Sequence, residues 1–368
     1  MANTFGQSNE FSRVVHSTHA KFFRKEEQNV LRKRRLTALL QEKGRITYNE
    51  DGDELKWPTR YKRTGLTPIG DVVDLSFIRK LKDKNSVLPW VGYAVEDAQG
   101  KKERLMNRGK SAILKQSSLI MERLKDDMKD GFALELYKDA STAGQEDRIS
   151  GLETALGKGA ALTAGKGFTP SDTYAGHSTA IGVVGTWTPP TGGSWPEGDG
   201  DAHYEWNSPI IVDPTGSGWQ ASTKTWPNTC VEALRYGIFA AERTTESLDM
   251  AMLTRESYNQ FADKLDSRER IVTERSGSNS LLVKLGFGSV TNFENVDVTW
   301  EQGVDAEDGY AHGYGLAIDM MELCCLESQL FNPAPIDYSI ENLTWRYLVE
   351  FWGQMKLNPR NLVKWVSD

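Results

Sequence analysis

Three periods of apolar and polar residues follow one another along this chain. Residues 1–19 are polar and aperiodic and read as an arm. From Ala20 to Lys43, Phe23, Val30, Leu36, Leu39 and Leu40 recur at loose helical spacing, and Gly44 gives the stop signal of a helix end. Over 45–103 the period changes to two. Leu55, Trp57, Thr59 and Tyr61 alternate with Lys56, Arg60 and Lys62, which predicts a strand. Pro58 lies inside it, and proline has no N–H to give a ladder, so the strand is an edge. A second extended run, Val87 to Val95, carries Pro89, and a polar stretch with Lys80, Lys82 and Lys84 lies between the two. An isolated hairpin is marginal in water. This one is long, charged and poor in core residues, so it implies a neighbouring molecule to lie on.

Residues 104–138 then read as one helix. Ile113, Ser117, Ile120, Met121, Leu124 and Met128 follow three-and-four spacing with charges opposite, and the helix would span about 45–50 Å. Residues 140–228 are rich in Gly, Pro, Ser and Thr, yet Trp187, Trp195, Trp206, Trp219 and Trp226 fall within 187–226. A flexible linker would be poor in aromatics, so an ordered, irregular insertion is expected. Beyond it the sequence predicts a helix at Val231–Phe239 and a buried strand at Leu248–Leu253. Thr254 caps a further helix bearing Tyr258, Phe261 and Leu265. Strands follow at Leu281–Leu285 and Val296–Trp300. An apolar run at Gly315–Cys325, a long strand at Leu343–Phe351 and a closing segment at Leu362–Val366 complete the chain. No internal repeat is visible. The class is α+β, with most sheet strands in the second half.

Composition narrows the function classes. At 368 residues, with 26% charged and 39% hydrophobic residues, the chain has the make-up of a well-cored globular protein. A net charge of -7 argues against a surface coated in nucleic acid. The basic helix is a local exception: Arg32, Lys33, Arg34 and Arg35 form a run that either faces solvent or faces an acidic partner. Three cysteines, two of them adjacent, predict no disulfide framework and a reducing compartment. No secretory leader or membrane-spanning run is legible, so a cytosolic protein, or one released by lysis, is expected. Eleven tryptophans lean toward extensive subunit contacts.

Catalytic chemistry is hard to find. His16 and His19 are too few for a structural zinc site, and Cys324-Cys325 lies in an apolar run, as buried small hydrophobes do. Gly159 to Gly167 resembles a phosphate loop but has the wrong glycine spacing and no Ser or Thr after Lys166. Glu197, Asp199 and Asp201 are spaced carboxylates without a calcium-loop pattern and read as a polar turn, with a weak cation site as the other reading. No metal, cofactor or catalytic residue is expected, and no enzyme.

The order of these elements, with several local stretches, resembles the tailed-phage major capsid family of the Hong Kong 97 type. The stretches are Trp57-Pro-Thr-Arg-Tyr61, Lys102-Glu-Arg-Leu-Met-Asn-Arg-Gly109-Lys, Ile149-Ser-Gly-Leu152, Leu253-Thr-Arg-Glu-Ser-Tyr-Asn-Gln-Phe261 and Phe351-Trp-Gly-Gln-Met-Lys-Leu-Asn-Pro359-Arg. They span most of 45–368. The resemblance implies an N-terminal arm with a basic helix at 1–44, an extended hairpin loop at 45–103 lying across a neighbouring subunit, and a long spine helix of a peripheral domain at 104–139. It implies an axial domain at 140–320 that carries the 187–226 insertion, and return strands of the peripheral domain at 321–368. It further implies self-assembly as hexamers and pentamers into an icosahedral head enclosing double-stranded DNA. Scaffolding, portal and decoration proteins would be partners, and no membrane would be. Assembly would take place in the host cytoplasm, and the final location would be the virion.

Under this reading Trp57, Arg60, Tyr61, Lys62, Lys80, Lys82, Lys84 and Trp90 are candidate subunit-interface residues, with Trp57 and Trp90 as anchors. Arg32, Lys33, Arg34 and Arg35 are candidate inward-facing arm residues near DNA. Trp57→Ala is expected to leave a folded monomer and impair shell formation. No long acidic or coiled-coil N-terminal scaffolding segment is legible, which implies either a separate scaffolding protein or a segment already removed, and no partner Asn or promoting Glu for an inter-subunit Lys–Asn link can be matched. Two other readings stay open: an encapsulin-type nanocompartment shell, and a ligand-binding module built on the 187–226 aromatics.

Overall fold

The computed structural model describes residues 35–60, 69, 82–106, 110–161, 166–180, 206–242, 247–266, 290–304, 311–327 and 329–367. The predicted strand at Leu281–Leu285 and the predicted helix before Arg35 lie outside these residues. Helix α1 (Arg35–Glu42) ends where the sequence indicates. Gly44 takes φ +64°, and the N–H of Arg45 donates to Leu40 O at 2.8 Å. Strand β1 (Ile46–Glu50) follows. Strands β2 (Glu54–Arg60) and β3 (Asp83–Pro89) form a two-stranded antiparallel sheet whose register pairs Pro58 with Asn85. Each strand of such a pair keeps one open edge, which accommodates the proline.

The second extended run does not stay in the hairpin. β3 stops at Pro89, and after Trp90 the chain continues as β4 (Val91–Gly100) in a different sheet. The expectation of one strand from Val87 to Val95 is corrected accordingly. Helix α2 (Lys101–Met106) comes next, and then helix α3 (Lys110–Glu135), about 39 Å long at 1.5 Å per residue. The helix expected over 104–138 therefore closes at Glu135, where Tyr137 and Lys138 N–H groups tighten onto Leu134 and Glu135 carbonyls. Ile120, Leu124, Met128 and Phe132 form its buried stripe at four-residue spacing.

Short strands punctuate the irregular stretch: β5 (Lys158–Ala161), β6 (Gly167–Pro170), β7 (Thr173–Tyr174), β8 (His177–Ser178) and β9 (Ile210–Val212). Helix α4 (Trp226–Ala241) begins earlier than predicted, with Pro227 in its first turn, where a missing N–H costs nothing. The remaining elements are β10 (Met250–Leu253), α5 (Arg255–Asp266), β11 (Val290–Phe293), β12 (Val296–Trp300), β13 (Ala311–Leu316), β14 (Met321–Leu326), β15 (Asn332–Pro333), β16 (Asp337–Ser339), β17 (Thr344–Leu357) and β18 (Val363–Val366). Thr254 caps α5 as expected: its Oγ1 accepts from the Ser257 N–H at 3.2 Å.

Two larger sheets organise the chain. In the six-stranded one, β17 carries β4 along one edge; β14, β15 and β16 follow one another along the other, and β1 pairs outside β14. The eight-stranded sheet has the order β11-β12-β10-β13-β18-β9-β6-β5. Its strands divide their side chains by the two-residue period. Ala251 and Leu253 face a core with α4 and α5, whereas Met250 and Met252 face a second core shared with Leu136, Tyr137 and the six-stranded sheet.

One apolar run and the returning segment each divide between the two sheets. The apolar run Gly315–Cys325 is not one element. β13 ends at Leu316 in the eight-stranded sheet, a 3₁₀ turn follows at Ile318–Met320, and β14 starts in the six-stranded sheet. The run is buried nearly throughout, so apolarity could not mark the change of sheet. The returning segment 321–368 also divides. β17 lies in the six-stranded sheet, but β18 pairs with β13 and β9 in the eight-stranded one. Lys364 of β18 is buried there with Glu153 as its partner at 2.6 Å.

Candidate subunit interface

The hairpin leaves the body beside the end of β17, and its first rungs are docked on its own chain. Leu55 and Leu88 sit opposite each other and join the core under the six-stranded sheet. The Trp90 indole N–H donates to Gly52 O at 2.9 Å, and Gln354 Nε2 donates to Pro89 O at 3.0 Å. Trp57 is half-buried, with Lys356 Nζ 5.8 Å from its ring centroid. On the β3 side, the Val87 N–H donates to Ala175 O at 3.2 Å, and a ring nitrogen of His177 lies 3.0 Å from Asn85 O. His177 meets Trp206 edge-on at 5.0 Å, and Lys84 Nζ lies 5.8 Å from the same indole. Burial first, and then the Lys84 charge, hold the His177 pKa below its ordinary value, while Asn85 O opposes them.

Trp57 and Trp90, the expected interface anchors, are each half-buried against their own chain and keep the rest of their surface exposed. Lys84 is likewise spent partly on Trp206. The outward face of the hairpin carries Glu54, Lys56, Pro58 and Arg60 on one strand and Asp83 and Asn85 on the other, all exposed. The Lys56–Glu54 pair at 3.0 Å is a surface pair and contributes little. Lys82 is half-buried at the start of β3. Tyr61, Lys62 and Lys80 lie outside the described residues. Sequence reasoning missed His177, Trp206 and Gln354, which hold the root, because none is near the hairpin in sequence.

The basic arm is corrected at one residue. Arg35 is only 2% exposed, with its guanidinium 4.7 Å from the Trp300 ring centroid and its backbone N–H 3.3 Å from Glu301 Oε2. It cannot face DNA. Helical spacing explains this: Arg35 shares the inward side of α1 with Leu36, Leu39 and Leu40. Burial pushes the Glu301 carboxyl up to about 7, against the pull of Arg35 and of nearby backbone N–H groups. Arg32, Lys33 and Arg34 lie outside the described residues.

Other candidate chemistry resolves into structure. Burial pushes Cys324 and Cys325 up to about 12, so both stay thiols. Among the described residues no group of three metal-ligating side chains occurs, and no helix is long and apolar enough to cross a membrane. His312 stacks on Trp226 at 4.3 Å between Ser257 Oγ (3.0 Å) and Ser367 Oγ (2.6 Å), and burial holds it down at about 4. Trp206, Trp219 and Trp226 are buried, which corrects the idea that they line an open ligand site. Trp187, Trp195, His16, His19 and the 197–201 carboxylates lie outside the described residues.

No family model and no curated protein matches the sequence. Solved structures do match. A chain of the Cyanophage A-1(L) capsid asymmetric unit superposes with TM-score 0.57 at 13% identity, covering 93% of this chain and 95% of that one. A chain of the capsid of a native GTA particle gives 0.55 at 9% identity, covering 93% of each chain. The empty GTA capsid gives 0.55 at 10%, covering 93% of this chain and 99% of that one. The chain has the phage-capsid fold. At these identities the likeness is one of fold, and the fold expected from the sequence resemblance is the one observed. In this capsid fold the α2–α3 segment, the six-stranded sheet and the hairpin form one end, and the eight-stranded sheet with α4 and α5 forms the other core.

Proposed function

We propose that this chain is the major structural subunit of a tailed-phage head. Copies assemble as hexamers and pentamers into a closed icosahedral shell that encloses double-stranded DNA, and the hairpin 45–103 reaches onto a neighbouring copy. The observation that carries this reading is a fold shared over 93% of the chain with chains that build capsids. The hairpin supports it. Its root is bolted to its own chain, while its exposed face carries Glu54, Lys56, Arg60 and Asp83, charges that suit a neighbour. Extended contacts of this kind tolerate the small angular differences that a closed shell imposes. A scaffolding protein, a portal and decoration proteins are the partners this role calls for. The subunit is structural rather than enzymatic, and the virion is its final location.

Expression of the full chain, followed by sedimentation and electron microscopy, tests the reading. Closed particles of uniform diameter are the expected result. Monomers alone, at every concentration and with a scaffolding partner co-expressed, would refute it.

A further inference from the structure

One imidazole joins the N-terminal cap of α5 to the end of β18. Val366 pairs with Ala311 and Trp365 with Gly313, so His312 is the extra residue of a bulge in β13. A bulge re-aims a side chain out of the ladder. Here the His312 ring lies flat on Trp226, with centroids 4.3 Å apart and an interplanar angle of 11°. Trp226 is itself fixed, since its indole N–H donates to Ser257 O at 3.1 Å. Nδ1 of His312 is 3.0 Å from Ser257 Oγ, and Nε2 is 2.6 Å from Ser367 Oγ. His312 O accepts from the Thr254 N–H at 2.9 Å, and Ser367 O accepts from Lys158 Nζ at 3.0 Å, so β5 holds the same segment.

The hydroxyls dictate which ring nitrogen carries the proton. Thr254 Oγ1 accepts from the Ser257 N–H and donates its own proton to Ser257 Oγ at 2.7 Å. Ser257 Oγ is thereby an acceptor for Thr254, and its own O–H has Nδ1 as its partner. Nδ1 must accept, so the proton of the neutral ring sits on Nε2 and is donated to Ser367. Every bond in the run points the same way, from Thr254 to Ser367. A second proton can enter only at Nδ1. It makes Nδ1 a donor aimed at an oxygen that already receives one proton, and the Ser257 O–H must turn away from the ring. Trp226 offers a cation its ring face, but the hydrogen-bond partners of the imidazole among the described residues are the two hydroxyls, with no carboxylate. The charged residues nearby are Lys158 on β5, Arg255 and Glu256 on α5, and Lys364 on β18, while α4 meets the ring with the uncharged Trp226. None of these charges moves the pKa, which burial alone lowers.

We propose that His312 is an acid-operated clasp: protonation at Nδ1 breaks the run of hydroxyls and frees Ser367 and the end of β18 from the cap of α5. The clasp belongs to the single chain and stands whether or not copies form a shell. Its direction with pH follows from linkage. The ring is held at about 4 when closed in and returns to the ordinary 6.5 when the clasp opens to water. The closed form therefore has its full advantage above pH 6.5 and loses it as pH falls toward 4.

Hydrogen exchange of the full chain, read by mass spectrometry on peptides that contain Val366 and Ser367, tests the clasp. With the intrinsic pH dependence of exchange divided out, protection there should fall at least about tenfold between pH 7 and 4.5, while peptides of β17 keep theirs. His312→Phe keeps the stack on Trp226 and removes both ring bonds, so protection should be low and flat across the same range. Ser257→Ala removes the hydroxyl that competes with the proton for Nδ1, and the loss of protection should move to higher pH. Constant protection in the wild-type chain would overturn the clasp, and so would a wild-type pH dependence that survives in His312→Phe. A midpoint left in place by Ser257→Ala would sink the assignment of Nδ1 as the site that takes the proton. Should His312→Phe fail to fold, Ser367→Ala cuts the Nε2 bond alone. It should bring protection at pH 7 down toward the wild-type level at pH 4.5, and full protection in that variant would overturn the proposal.

Discussion

The two ends of strand β17 are finished in opposite ways. At Gln354–Leu357, every strand residue is locked to its own chain. Tyr174 OH donates to Met355 O at 2.9 Å and accepts from the Leu357 N–H at 2.7 Å, and Lys356 pairs with Glu322 at 3.0 Å. At Thr344 the strand opens instead onto an exposed apolar corner with a leucine held in a left-handed conformation. One end spends its side chains on the fold, and beside the other Leu105, Met106, Ile340 and Leu343 stand exposed. Substitutions at the two ends should therefore fail in different assays.

The largest effect belongs to the closed side. Phe351→Ala removes a fully buried ring packed 4.4 Å from Phe132, and roughly 3–5 kcal/mol of stability should be lost in urea unfolding of the full chain. Next comes pH, acting on the eight-stranded sheet that the closed end runs into through β18. His312, buried at about 4 against an ordinary 6.5, contributes stability that is present above 6.5 and lost as pH falls toward 4. Glu301, buried at about 7 against 4.5, has the opposite sign: its contribution is full below 4.5 and lost as pH rises through 7. Each is worth at most about 3 kcal/mol, and between pH 4.5 and 6.5 they oppose each other. Thermal melts of His312→Asn should fall as pH rises through this window, and those of Glu301→Gln should rise. Parallel profiles for the two variants would contradict both assignments.

Smaller again is Tyr174→Phe, which leaves two buried backbone groups without their partner and should cost about 1–3 kcal/mol in the same urea assay. Smallest for the monomer is Ile340→Ser at the open end. It should move stability by less than about 0.5 kcal/mol while lowering the yield of particles in sedimentation. A large stability loss there would erase the contrast between the two ends.

Much of this was legible in sequence, for local reasons. Gly44 and Thr254 mark helix ends through their own chemistry, and Pro58 declares an edge strand wherever its partner lies. The four-residue stripe Ile120 to Phe132 specifies one buried face of a helix. What sequence did not show depends on distant partners. Val87–Val95 and Gly315–Cys325 are each extended or apolar throughout, so nothing in the pattern reveals that each run changes sheet partway. Arg35 reads as one more charge in a basic run, and only Trp300 and Glu301, far along the chain, make it a core residue. The exposed corner escaped notice for the same reason. Leu105 and Leu343 look like ordinary core residues until folding brings them together at the surface.

The passage of one backbone from hairpin to sheet at Trp90 also has a mechanical meaning. β4 pairs with β17 along ten successive residues, from Val91 opposite Gly353 to Gly100 opposite Thr344. A pull on the hairpin, directed away from the corner, loads that ladder along its length. Antiparallel hydrogen bonds lie across the strands, so they would bear such a load together in shear rather than peel one after another. The strap and its anchorage are one continuous thread, and it is strongest in the direction in which a neighbour would tug.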